Sequence, residues 1–130
     1  MSTLELGSVM LVDDSRVDNF INCKILELNA VTSNVSVFDE AAKALDFLKS
    51  NLNLPDLIFL DIYMPSMTGF DFLEEFESLS LQIKEKCKVV LLSSGFDNLE
   101  LQKLRKFNWI SGIIVKPLTY ESLEGIISIN

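Results

Sequence analysis

Five short apolar runs recur along this chain, and between them lie longer stretches whose apolar residues repeat at helical spacing. The runs are residues 9–12, 35–38, 57–60, 89–92 and 113–115. Each is short and apolar on both faces, the second interrupted only by Ser36, and such strands belong to parallel sheets flanked by helices. The first stretch between runs carries Val17, Phe20, Ile21, Lys24, Ile25 and Leu28, a helical stripe that only Lys24 interrupts. The second carries Ala41, Ala44, Leu45 and Leu48. A third helix is expected over about 69–81 with Phe72, Leu73, Phe76 and Leu79, and a fourth over about 98–107 with Leu101, Leu104 and Phe107. A short fifth should follow Pro117, with Thr119 as its N-cap. Regular alternation of this kind predicts an α/β fold, five β/α units wound into a doubly wound five-stranded parallel sheet.

With 130 residues, 48% of them hydrophobic, the chain fits one compact domain over residues 1–130, and any output should come from that domain. Nineteen acidic residues against 11 basic ones give a net charge of -8, which repels phosphate backbones and anionic membrane surfaces. Neither nucleic acid nor membrane is an expected partner. No apolar run approaches the ~20 residues that span a bilayer, and the first residues lack a leader pattern, so a cytoplasmic protein is expected. Cys23 and Cys87 have no CxxC spacing and read as reduced thiols rather than a disulfide or zinc site. The chain contains no histidine, so any phosphohistidine in its chemistry belongs to a partner.

On a doubly wound sheet, ligands sit at the carboxyl ends of the strands, near the switch in strand order. The runs end there in Asp13 and Asp14, Asp61, Ser93 and Ser94, and Lys116. Clustered carboxylates repel by about 4 kcal/mol per pair at 4 Å and an effective dielectric near 20, so the group needs compensating charge. Lys116 supplies one unit, and an all-oxygen acidic set favours Mg²⁺, or Mn²⁺, for the rest. A phosphoryl group entering such a site would have its oxygens neutralised from two sides and would meet a hydroxyl donor in Ser93. Asp61 is the candidate nucleophile, since it ends the central strand and precedes a turn-rich loop with Met64-Pro65 and Thr68-Gly69. Plainer readings stand beside these: helix capping for Asp13-Asp14, a surface charge for Lys116, a local backbone bond for Ser93, and packing for Ser94.

The segments LVDDS, LIFLDIYMPSMTGFDFL, VVLLSS and IIVKPLT, in this order and at this spacing, resemble the signature segments of response-regulator receiver domains, the CheY-like family. The resemblance covers essentially the whole chain. It implies a flavodoxin/CheY-like sheet of strand order 2-1-3-4-5 and a two-component signalling switch rather than an enzyme. It also implies Asp61 as phosphoacceptor, with Asp13, Asp14, Asp61 and the Tyr63 carbonyl holding Mg²⁺. Ser93 and Lys116 would contact the phosphoryl group, and the Lys116-Pro117 bond would be cis. The implied donor is a histidine kinase or histidine phosphotransfer protein, and the implied target is a protein bound through the fourth helix, fifth strand and fifth helix. Three features depart from the pattern. Ile113 stands where members carry an aromatic switch residue, and Ser93 stands where threonine is commoner. Tyr63 and Gly95 flank the expected phosphate, one bulky and one open. Ile113 motivates an alternative, a receiver-like scaffold that binds partners regardless of phosphorylation. A haloacid-dehalogenase-type phosphatase would need a second aspartate at the position of Tyr63.

Overall fold

The computed structural model describes residues 7–29, 32 and 34–129. Strands β1 (Ser8–Val12), β2 (Asn34–Phe38), β3 (Leu57–Asp61), β4 (Lys88–Ser93) and β5 (Gly112–Val115) form one parallel sheet in the order β2-β1-β3-β4-β5. The helices are α1 (Arg16–Leu28), α2 (Ala41–Lys49), α3 (Gly69–Glu77), α4 (Leu81–Lys86), α5 (Asn98–Leu104) and α6 (Tyr120–Ile129). The chain enters at β1, steps outward to β2, then crosses back past β1 to β3, β4 and β5. The strand order therefore reverses between β1 and β3, and the carboxyl ends of those two strands frame a crevice.

Side chains alternate across each strand and divide the core in two. Met10, Val12, Ile58, Leu60, Val89 and Leu91 face α2, α3, α4 and α5, packing with Ala44, Leu48, Phe72 and Phe76. Val9, Leu11, Leu57, Phe59, Val90 and Leu92 face the other way, against Leu26 of α1 and Leu123 and Ile126 of α6. Burial on both faces holds for β1, β3 and β4 but not for the edge strands. Val37 of β2 and Ile113 and Val115 of β5 are exposed, because an edge strand has a neighbour on one side only and its helices cover it incompletely.

Three helical expectations are corrected. The single helix over 69–81 is two helices, α3 and α4. Ser78 closes α3, and the Ser80 hydroxyl accepts from the Ile83 amide to start α4. The apolar phase runs on through Phe76, Leu79 and Ile83 at helical intervals, so periodicity alone carries no sign of the break. Among the described residues the sheet is thus flanked by six helices rather than five. On α1 the apolar stripe points outward: Val17, Phe20, Ile21 and Leu28 are exposed, at 67%, 63%, 43% and 82%. The buried residues are Asn19, Asn22 and Leu26. Asn19 sits inward because its side-chain amide donates to the Asp13 carbonyl at 2.7 Å, tying the helix to the end of β1. The bond satisfies the Asn19 amide nitrogen, while its buried side-chain oxygen has no hydrogen-bond partner among the described residues, and the buried asparagine makes the inner face look polar in the sequence. The fourth helix also ends earlier than expected, at Leu104, although Phe107 remains core. Thr119 does cap α6, its hydroxyl accepting from the Ser122 amide at 3.1 Å while the Ser122 hydroxyl accepts from the Thr119 amide at 3.0 Å.

Candidate functional site

Asp13 follows β1 and Asp61 ends β3, so both lie at the switch point, and both are buried, at 3% and 4% exposure. Asp14 beside them is exposed. Ser15 caps α1 through its hydroxyl, which accepts from the Asp18 amide, so neither acid is the helix cap. One oxygen of Asp13 instead accepts from the Ser15 amide at 2.9 Å, a bond that aims the carboxylate back into the crevice. The loop after Asp61 folds tightly on itself, with the Gly69 amide donating to the Ile62 carbonyl at 3.0 Å. A Cβ on Gly69 would lie 2.6 Å from the Ile62 Cα, so only glycine permits this approach.

Lys116 enters from beyond β5, where its amide extends the ladder to the Ser93 carbonyl at 2.7 Å and its peptide bond to Pro117 is cis, as expected. Its ammonium reaches Asp13 at 2.7 Å, Asp18 at 2.8 Å and Asp61 at 3.5 Å. Burial opposes the charged lysine, but the hydrogen bonds it donates to Asp13 and Asp18 outweigh it and hold the group above the ordinary lysine range. The surface-charge reading of Lys116 is excluded by this environment. Asp18 went unrecognised in the sequence because it sits on a helix rather than at a strand end. Its available signal is the acid three residues after the Ser15 cap, on the first turn of a helix that begins at the site.

The site remains short of positive charge. Asp13, Asp14, Asp18 and Asp61 face one lysine whose closest bonds go to Asp13 and Asp18. Asp61 carries the consequence: burial and the Asp13 charge push its carboxyl up to about 6, while Lys116 and the Tyr63 backbone amide pull the other way. Carboxylate oxygens from Asp13, Asp14 and Asp61 all lie within 4.8 Å of one another. Octahedral Mg²⁺ at ~2.1 Å spaces its ligand oxygens ~3–4 Å apart, so a small side-chain turn brings this all-oxygen set into range. The residues present fit a hard divalent cation.

Ser93 is fully buried, and its hydroxyl donates to the Gly95 carbonyl at 2.7 Å and accepts from the Gly95 amide at 3.3 Å. The local-bond reading of Ser93 is thus what the geometry shows. Ser94 is exposed rather than packed. Space beside Gly95 is open, with nothing within 4 Å of where a Cβ would stand. Across the mouth, Tyr63 is half-exposed and its phenol donates to Glu100 of α5. That hydrogen bond, with a smaller contribution from burial, pushes the phenol up to about 12. Lys103, in the last turn of α5, stands 5.3 Å from the centre of the Phe70 ring.

A doubly wound sheet of this strand order, with buried acids gathered around one lysine at its switch point, defines a CheY-like α/β domain. The family model for the response regulator receiver domain matches residues 9–128. An uncharacterized response regulatory protein of Vibrio cholerae is 33% identical over 119 residues, covering 89% of this chain and 45% of the relative. The two-component response regulator ORR7 of rice (Oryza sativa subsp. japonica) is 36% identical over 86 residues, covering 66% of this chain and 39% of its own length. The chain therefore spans about half the length, or less, of these curated relatives. Among solved structures, a two-component response regulator from Cytophaga hutchinsonii superposes with a TM-score of 0.84 at 28% identity, covering 95% of this chain and 96% of that one. A response regulator receiver protein from Dyadobacter fermentans gives 0.85 at 28%, covering 94% and 95%. The chain belongs to the response regulator receiver domain family, the signalling domain of two-component systems.

Proposed function

We propose that this receiver accepts a phosphoryl group on Asp61 from a phosphohistidine on a histidine kinase or histidine phosphotransfer protein, and thereby switches its binding to a protein target. The observation that carries the reading is the buried, under-neutralised Asp61 carboxylate, 3.5 Å from Lys116 and grouped with Asp13 and Asp14. In the transfer, an Asp61 oxygen attacks phosphorus, the P–N bond breaks, and the donor imidazole leaves with the bonding pair and takes up a proton. The product is an aspartyl phosphate, a mixed anhydride. Asp13, Asp14, Asp61 and the Tyr63 carbonyl would hold Mg²⁺, which when bound offsets charge on the phosphoryl oxygens. Lys116 would turn from Asp18 toward the new oxyanion, and Ser93 would exchange its bond to Gly95 for one to the phosphoryl group.

The exposed Val17, Phe20 and Ile21 on α1 adjoin the site through Ser15 and Asp18, which supports α1 as the face the donor approaches. Exposed Leu99 and Leu101 on α5 and Ile113 and Val115 on β5 support the α5, β5 and α6 side as the target face. No helix among the described residues is long and apolar enough to cross a membrane. The test is intact-mass analysis after incubation with acetyl phosphate and Mg²⁺, beside Asp61→Ala and a metal-free control. One adduct that requires both the metal and Asp61 is expected. Its absence from the parent protein would instead support the phosphorylation-independent scaffold.

A further inference from the structure

The exposed Tyr63 phenol plays no part in the chemistry above, yet it makes a contact that reaches far in sequence. Tyr63 lies two residues beyond Asp61 in the loop between β3 and α3, and its backbone amide faces the Asp61 carboxylate. Its hydroxyl donates to Glu100, 37 residues away on α5. Glu100 occupies a special place there. Its other oxygen accepts from the Asp97 amide at 2.8 Å, and the Asp97 carboxylate accepts from the Glu100 amide at 2.8 Å. This capping box sets where α5 begins.

The helix so held is weakly anchored elsewhere. It has seven residues, of which Leu104, in its last turn, is the buried one. Leu99 and Leu101 are exposed at 69% and 39%. A helix this short does not sustain itself, so its first turn depends on its cap and on whatever holds the cap. The segment leading into it, residues 94–97, is fixed at its start by the Ser93–Gly95 bonds and leaves open space beside Gly95. A route through a β5 aromatic is closed, since β5 reads Gly112, Ile113, Ile114, Val115.

We propose that the Tyr63–Glu100 hydrogen bond is the tie through which the state of Asp61 is passed to the N-terminus of α5. The proposal rests on Asp61 being the phosphoacceptor. A phosphoryl group adds charge and bulk where the Tyr63 main chain meets the Asp61 carboxylate, and the loop must adjust. Because the phenol is bound to the capping glutamate, that adjustment is felt at the residue that starts α5. Without the phenol oxygen the loop moves and the cap does not follow. Coupling of this kind is reciprocal, so the tie also affects how readily the site accepts its group.

The test is hydrogen exchange of the amides in residues 98–104 of the full chain, with and without Mg²⁺ and saturating beryllofluoride, a phosphoryl mimic. Acetyl phosphate labelling is followed by mass in parallel. In the parent protein, beryllofluoride is expected to change exchange at the first turn of α5. In Tyr63→Phe that response should shrink by about two- to fivefold, the weight of one exposed hydrogen bond. Glu100→Gln keeps one oxygen to accept from the Asp97 amide and replaces the other with an NH₂ that donates to the Tyr63 phenol oxygen, so the tie persists with its direction reversed and the parental response should be retained. Equal responses in the parent and Tyr63→Phe would overturn the tie, as would an adduct on the parent without any response in α5. A parent that takes neither acetyl phosphate nor beryllofluoride would overturn the phosphoacceptor reading itself, and the tie with it.

Discussion

Asp61→Asn removes a charge from the centre of the site while keeping every heavy atom position, and the structure sets the size of the effect. The Asp61 carboxyl is raised to about 6 by burial and by the Asp13 charge. Against an unfolded carboxyl near 3.9 this is about two pKa units, or about 3 kcal/mol of native-state destabilisation once the group is ionised. The sign follows from proton binding. The native carboxyl holds its proton more tightly than the unfolded one, so the cost is absent below about pH 4, develops as pH rises to about 6, and is complete above that. In metal-free buffer at about pH 7, Asp61→Asn should therefore be more stable than the parent by about 1–3 kcal/mol, the lower end allowing for the amide facing Lys116. Urea unfolding in EDTA measures this, and thermal unfolding should show a rise of roughly 3–10 °C. The advantage should shrink toward about pH 4, where both proteins carry an uncharged group at this position. Mg²⁺ should also narrow it by stabilising the parent in proportion to ln(1 + [Mg²⁺]/Kd). A variant no more stable than the parent at neutral pH, or an advantage that ignores pH, would refute the reasoning.

The two faces of α1 make a second test: Leu26→Ala should cost about 2–5 kcal/mol by urea unfolding, whereas Phe20→Ser should stay within about 0.5 kcal/mol. Equal costs would reverse the assignment of the buried face. Gly69→Ala places a methyl 2.6 Å from the Ile62 Cα, so a loss of about 1–3 kcal/mol and slower labelling of Asp61 are expected, and a parental melting temperature would contradict the close approach. Burial pushes the Cys87 thiol up to about 11, so it should react with a thiol reagent at about pH 8 far more slowly than the half-buried Cys23. Similar rates for the two thiols would show that Cys87 is not enclosed.

Most of the architecture was legible because the strands are short and their burial is strong. In β1, β3 and β4, four or more consecutive apolar residues have no stable place except between two helical layers, and each run ends in a polar residue that marks the carboxyl edge. The readings that failed did so where an apolar pattern was served by something other than the core. Val17, Phe20, Ile21 and Leu28 form a regular stripe, but the inner side of α1 is set by the Asn19 bond to Asp13, which hydrophobicity does not register. The division between α3 and α4 was hidden because Leu79 and Ile83 keep the helical phase across Ser78 and Ser80. Periodicity reports which residues prefer to be covered, not what covers them or whether the backbone stays continuous.

The sequence by itself determined the class of fold, the family, and the gathering of Asp13, Asp14, Asp61, Ser93 and Lys116 at one end of the sheet. These follow from local pattern and from a topology that few alternatives satisfy. Only the tertiary structure decided how those groups share their bonds. Lys116 chooses among Asp13, Asp18 and Asp61 by ångström-scale distance. Ser93 satisfies its hydroxyl on Gly95. Tyr63 finds Glu100 across a separation that no spacing rule covers. The reason is physical: partnership in a crowded polar site depends on the strength of each bond and on the water each group gives up, and both are set by where other elements of the chain come to rest.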